Sequence, residues 1–439
     1  MTQRLPPGPR LPRLVQAWNW TYRYPQFTGD AHARYGSTFT ARIGGLPTSV
    51  VTTDRDAVRR LFTGNPLVKR HGNDLLKPLV GEHSVLTLEP HEHLARRKLL
   101  LPSFHGERIQ GYARLMERLA AQELDRWRPG DVVEVQPLAQ ALTLDVILQA
   151  VLGIEDVALR RRLRRIFDAM INPITNLTTY VPQVTRRAWW NPGTYLYWRV
   201  KDRLDALLLG HIAATRADPR LAERDDVLAM LVQARDQDGG GLTDLELRDE
   251  LVALITAGHE TTATAIAWGA ALIARHPLAR EDDAYLTATV KEILRIHSPI
   301  PIAAARRVLE PFRIADWTIP PDVIVIVDAY WLHHDPAIYP EPEAFRPGRF
   351  LDGAPEHAFL PFGGGAHRCL GASLAQLEMK VVLRALLERF ELTPAGSGPV
   401  AARRRGVTLA PRDGGRIRVT RRGTRGAPCP AAPAAAATR

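Results

Sequence analysis

Helical periodicity through most of the chain, one long apolar helix near its middle, and strand patterns confined to short pieces predict a mainly α fold with small β-sheets. The 439 residues are 45% hydrophobic and 24% charged, enough for a large core at ordinary surface charge. A folded body is expected over 1–420. A disordered tail is expected over 421–439, where Ala, Pro, Gly and Arg leave almost nothing to bury.

Taken in order, Pro6, Pro7, Gly8, Pro9 and Pro12 make a stiff lead-in that lies over the surface. The run FTARIGGLPTSVVTT at 39–53 reads as a hairpin with Gly44-Gly45 at its turn. Helical spacing is clear from about 91 to 128 and continues largely to 235, followed by the linker Asp238-Gly239-Gly240-Gly241. An apolar helix is predicted over 243–275, stopped by Pro277, and a shorter one over 284–297, stopped by Pro299. Strand-like pieces occupy 302–327, a glycine-rich loop spans 363–366, and a further helix covers 371–391. No internal repeat is visible.

No run of about 18 uncharged apolar residues occurs, so no transmembrane segment is predicted. The first residues lack the apolar stretch of a secretory signal, and a cytoplasmic location is expected. Of the net charge of +11, nine units come from 401 onward, where ten arginines face Asp413 alone. The body is therefore near neutral, which argues against nucleic-acid binding as the main function. Only Cys369 and Cys429 are present, and Cys429 lies in the tail, so no structural disulfide is expected and thiolate chemistry falls to Cys369.

Three motifs carry chemistry. Phe362-Gly363-Gly364-Gly365-Ala366-His367-Arg368-Cys369-Leu370-Gly371 puts a cysteine between a glycine loop and a helix N-terminus, which brings backbone N–H groups and positive potential to a thiolate. Zinc and iron–sulfur sites need several ligands. Haem needs one axial protein ligand, and a thiolate in that role favours O–O cleavage. Ala257-Gly258-His259-Glu260-Thr261-Thr262 places an acid and two hydroxyls inside an apolar helix. Gly258 and a Thr hydroxyl that takes a carbonyl are expected to open the helical ladder there and admit water for a proton relay. Glu292 and Arg295, three apart, share one helix face and can pair.

FGGGAHRCLG resembles the haem-binding signature of the cytochrome P-450 family, with Phe362, Gly365, His367, Cys369 and Gly371 at the family's spacing. Ala257–Thr262 resembles its oxygen-activation motif, Glu292–Arg295 its ExxR pair, and Phe345-Arg346-Pro347-Gly348-Arg349-Phe350 its FxPxRF stretch. The resemblance spans roughly 5–420 and implies an α-rich triangular prism with a long central helix over the haem. It implies haem b (iron protoporphyrin IX) with Cys369 on the iron, Glu260 and Thr261 delivering protons, and Glu292, Arg295 and Arg349 as a buried structural triad. The propionate partners it implies are His93 and Arg97, with Phe104 beyond them, His367, and either Arg306 or Arg307, between which the sequence does not choose. Its substrate pocket draws on 71–88, on Ala253, Leu254 and Ala257, and on Ile300–Ala304, including Ile302 and Ala303. The aromatic segment 167–198 (Phe167, Tyr180, Trp189, Trp190, Tyr195, Tyr197, Trp198) falls at the family's mobile lid. One departure stands out: only seven residues separate Pro277 from Tyr285, where the family usually has another short helix.

The resemblance implies a monomeric monooxygenase that uses O2 to hydroxylate or epoxidise an apolar small molecule such as a fatty acid, alkane or terpenoid. With no Gly-rich dinucleotide motif and no room for a reductase domain, two electrons are expected from a separate ferredoxin or flavoprotein donor, steered by basic residues that include Arg368. A peroxide-driven or donor-independent haem-thiolate enzyme is the nearest alternative, and the Glu260-Thr261 pair counts against it. A non-catalytic haem carrier or sensor is the other.

Overall fold

The computed structural model describes residues 5–63, 68–70, 76–104, 107–177, 192–235, 239–279 and 282–422. The proline lead-in is pinned along the first strand, where Pro7 O accepts the Thr40 N–H at 3.0 Å and Pro6 O accepts the Thr40 hydroxyl at 2.6 Å. Helices α1 (Arg13–Tyr22) and α2 (Tyr24–Tyr35) lead into β1 (Thr38–Ala41) and β2 (Ser49–Thr52), which form the predicted hairpin. Asp54 caps α3 (Arg55–Phe62) by accepting the Ala57 N–H at 2.8 Å. Then come β3 (Val68–Arg70), the short α4 (Lys77–Val80), α5 (Pro90–Leu100) and α6 (Glu107–Leu124). The helical stretch expected to 235 is interrupted by β4 (Val132–Glu134), and the rest of it is α7 (Val135–Ala150), α8 (Val157–Leu177), α9 (Pro192–Arg216) and α10 (Val227–Gln233).

A capping box starts the central helix α11 (Asp244–Arg275). The Thr243 hydroxyl accepts the Glu246 N–H at 3.3 Å, and the Glu246 carboxylate accepts the Thr243 N–H at 2.9 Å. At 32 residues it is about 48 Å long. α12 (Asp283–Ile296) follows, and no helix lies between the two among the described residues, in line with the short connection seen in the sequence. β5 (Ile302–Val308), β6 (Phe312–Ile314), β7 (Trp317–Ile319) and β8 (Ile324–Asp328) are the strand pieces expected over 302–327. They lead to α13 (Ala329–His333), α14 (Ala372–Arg389), β9 (Phe390–Pro394), β10 (Ala402–Arg405), β11 (Thr408–Pro411) and β12 (Arg416–Arg421).

The main sheet has the order β1-β2-β8-β5-β3, with β2 and β8 parallel. Both its faces are covered. Val50, Ala304, Val325 and Val327 pack with Phe62 and Leu360 on one side, and Phe39, Val51, Ile324 and Ile326 pack with Trp20 and Tyr24 on the other. A larger apolar core joins α5 to α12 and α14, with α7 laid along α11. β4 pairs with β12 from the far end of the chain, a contact that three residues cannot announce locally. β12 ends at Arg421, which pairs with Phe390, so the body runs one residue into the predicted tail; 423–439 lie outside the described residues. Among the described residues no helix is long and apolar enough to cross a membrane.

Candidate active site

The cysteine loop is pressed onto α3 and β5. Gly365 has φ +63°, and a Cβ on it would lie 2.4 Å from the Phe62 carbonyl oxygen, so only glycine fits. The Cys369 N–H closes the loop by donating to Phe362 O at 3.0 Å, and α14 starts just beyond, with Gly371 at its N-cap. Cys369 is solvent-accessible. Burial pushes its thiol up, opposed by the Gly371 N–H and by the Arg97 and Arg368 guanidiniums.

Cations gather around this loop. His93 is buried on α5, with Nδ1 2.8 Å from Val85 O, Nε2 3.3 Å from Ala366 O, and its ring 4.1 Å from that of His367. One turn on, Arg97 donates to Arg368 O at 2.6 Å, and burial lowers its pKa against the opposing pull of Cys369. Strand register separates the two arginines that the sequence left open. Arg306 shares a face of β5 with Ala304 and Val308, the face packed with Phe62 and Leu360 at the cysteine loop, and it is buried. Arg307 takes the other face, with Ala305.

On α11, Leu254, Ala257, Gly258 and Thr261 form an accessible stripe at helical spacing within a largely buried stretch. Ala253, expected in the pocket, is 1% exposed and belongs to the core behind it. The ladder expected to open at Gly258 stays closed: α11 runs through without a break. Gly258 serves packing instead, since a Cβ there would lie 2.4 Å from Ile147 of α7. The Thr261 hydroxyl donates to Ala257 O at 2.8 Å. The buried Glu260 carboxylate faces α7 and β10, accepting from Gln140 Nε2 at 2.5 Å and pairing with Arg405 Nε at 3.0 Å. Gln136 Nε2 bridges Glu260 at 3.5 Å and Thr264 at 3.2 Å. Gln136, Gln140 and Arg405 escaped the sequence reading. The signal was present in two glutamines four apart within the apolar α7.

Two further networks brace the elements around the loop. Glu292 and Arg295, both fully buried, are joined by bonds of 2.8 and 2.9 Å, and Glu292 also accepts Arg349 Nε at 3.1 Å and the Arg346 N–H at 2.8 Å. Arg295 also donates to His333 O at 2.9 Å, and His333 Nε2 accepts the Leu360 N–H at 2.8 Å, tying the triad to the cysteine loop. Burial lowers the His333 pKa to about 3, which keeps that ring neutral and able to accept. Across the molecule, α11 holds the segment before α5. Asp249 accepts the His83 N–H at 2.9 Å, and Glu250 accepts the Val85 N–H at 2.8 Å and Arg96 at 3.0 Å.

A sequence profile of the cytochrome P450 family matches residues 6–282 and 278–415. Putative cytochrome P450 135B1 of Mycobacterium tuberculosis, and that of Mycobacterium bovis, is 36% identical over 98% of this chain and 96% of the relative. Putative cytochrome P450 135A1 of Mycobacterium tuberculosis is 34% identical over 95% of this chain and 96% of its own length. The chain belongs to the cytochrome P450 family.

Among solved structures, the retinoic acid-bound cyanobacterial CYP120A1 matches this P450 with a TM-score of 0.84 at 25% identity, covering 96% of this chain and 100% of that one. The cytochrome P450DA heme domain matches its fold with a TM-score of 0.82 at 20% identity, covering 96% and 99%. The two stretches of the profile match meet at 278–282, the short connection between α11 and α12. P450s are haem-thiolate monooxygenases, and the residues here fit that cofactor. A single accessible thiol is ringed by cations from α5 and the loop itself, with Arg306 on the β5 face turned to that loop. A stripe of α11 also remains accessible. Of the remaining expected residues, Ile302 and Ala303 are half-buried on β5, Phe362 is half-buried and Phe104 is core. Residues 71–75 and 178–191, with Tyr180, Trp189 and Trp190, lie outside the described residues. Phe167 and Tyr197 of the aromatic segment are core, and Tyr197 donates to Pro78 O at 2.8 Å.

Proposed function

We propose that this cytochrome P450 inserts one oxygen atom of O2 into an apolar small molecule, with two electrons supplied by a separate ferredoxin or flavoprotein, and that 1–420 forms its single catalytic domain. The accessible stripe on α11, apolar except for one hydroxyl, carries this reading. It offers a hydrocarbon a surface matched by shape and a single proton donor beside it.

Haem b held by Cys369 supplies, when bound, the reductive activation of O2. The chain does the rest. His93, Arg97, Arg306 and His367 would hold its two propionates, and the Gly365 turn with Phe362 and Gly371 would keep the thiolate in place. Leu254, Ala257, Ile302 and Ala303 orient the substrate and exclude water, with Ala253 backing them. Thr261, whose hydroxyl now donates to Ala257 O, and Glu260, held by Gln140 and Arg405, form the proton-delivery pair, and each would have to leave these partners to pass a proton on. Exposed Arg368, next to Cys369, favours an acidic donor. The retinoic acid bound to the cyanobacterial relative makes long apolar acids and terpenoids the first substrates to try.

The test is turnover of retinoic acid, fatty acids and terpenoids under two regimes. Product formed with NAD(P)H, O2 and a surrogate ferredoxin chain supports the reading. Product formed only with peroxide overturns it in favour of a donor-independent enzyme.

A further inference from the structure

Helix α1 is built inside out. Its inward face carries Gln16 and Thr21 beside Trp20. Gln16 is fully buried and satisfied, donating to Pro9 O at 3.1 Å and Leu11 O at 2.8 Å and accepting the Arg42 N–H at 2.9 Å. Its outward face is apolar: Leu14, Val15, Trp18 and Tyr22 are 80%, 42%, 61% and 51% exposed, and Leu11, just before the helix, is 45% exposed. Leu14, Trp18 and Tyr22 recur every fourth residue, and the last two rings lean on each other, tilted by 44° with centroids 4.3 Å apart. No other stretch of the described residues gathers so many exposed large apolar side chains.

Charge says what covers this face. Exposed Arg10, Arg13, Arg23 and Arg42 surround it, and no Asp or Glu occurs before Asp30. Beside α1 lies a cleft of about 400 Å³ lined by Arg10, Asn19, Arg23, Gln26 and Arg34, with Asp30 as its only acid. Guanidiniums around an apolar stripe that ends in Trp and Tyr suit the boundary between phosphate headgroups and acyl chains. A second copy docked by twofold symmetry would instead set these arginines against one another. The helix has 10 residues, far too few to span a bilayer, and so would lie in its surface. We propose that the outer face of α1 docks this P450 on an anionic lipid bilayer, with Leu14, Val15, Trp18 and Tyr22 in the acyl boundary and the arginines on headgroup phosphates.

The experiment is co-sedimentation of the haem-loaded enzyme with vesicles of one-third phosphatidylglycerol in phosphatidylcholine, and with phosphatidylcholine alone. Binding should appear with the anionic vesicles, weaken with salt, and fall roughly tenfold or more in a Leu14→Ser/Trp18→Ser variant. It should fall comparably in Arg10→Glu/Arg13→Glu. These side chains are exposed, and an unchanged haem spectrum shows that each variant is folded. A Val157→Ser/Leu351→Ser variant, which removes exposed apolar groups elsewhere, should bind as wild type does. Absence of vesicle binding, equal binding by all variants, or a wild-type dimer that the Leu14/Trp18 change splits without any vesicle binding would each overturn the proposal.

Discussion

Arg306 and Arg307 are neighbours in sequence that differ by which face of β5 they occupy. Only Arg306 lies on the side of the cysteine loop, and it is buried there. We predict that Arg306→Ala weakens haem retention by roughly tenfold or more, while Arg307→Ala stays within about twofold, as read by haem transfer to an acceptor globin. Equal losses would contradict the register argument. Residues inside contiguous motifs, such as Cys369, Glu292 and Arg295, were legible in the sequence because their neighbours specify their chemistry. The choice between Arg306 and Arg307 was not, because it depends on which face of β5 meets Phe62. Nor were the partners of Glu260. Arg405 reaches it from a strand 145 positions later, and in the sequence it reads as one more charge in a basic stretch.

At the scale of elements, α11 organises the site from both ends of its length. Near its start, Glu250 and Asp249 clamp 83–85, whose Val85 carbonyl in turn meets His93. Removing the Glu250 carboxylate strands the Val85 N–H and leaves Arg96 with Glu246 and the His83 carbonyl, so Glu250→Ala should cost about 2 kcal/mol in urea unfolding of the holoprotein, and Glu250→Asp visibly less. Similar small losses in both would contradict the clamp. α14 carries a second buried acid, Glu378, which burial alone pushes from 4.5 up to about 8. The folded state therefore holds this proton more tightly than the unfolded chain. Its contribution is complete below pH 4.5, declines as pH rises, and is gone above about pH 8. Thermal melts should show Glu378→Gln gaining on wild type from pH 5 to 8; a difference that does not change with pH would contradict this. The sequence placed the ends of α11 within a residue, because Thr243 and Pro277 punctuate it. It misread Gly258 as a weak point, because the need for it arises from Ile147 on another helix.

For the whole molecule, the helical architecture was legible from one long apolar helix and its stop signals, and so were the hairpin and the strand pieces over 302–327, whereas the order of the sheets was not. Their strands pair across the chain, β2 with β8 and β4 with β12, so their order follows from burial on both faces and not from local pattern. That architecture brings α5, β5 and the glycine loop around one thiol, and the central claim is that this thiol ligates haem. The direct measurement is the carbon-monoxide difference spectrum of the reduced holoprotein. Wild type should show a Soret maximum about 450 nm, the signature of thiolate ligation, and Cys369→His should lose it while still binding haem. A wild type without that band, or a Cys369→His variant that keeps it, would contradict the account.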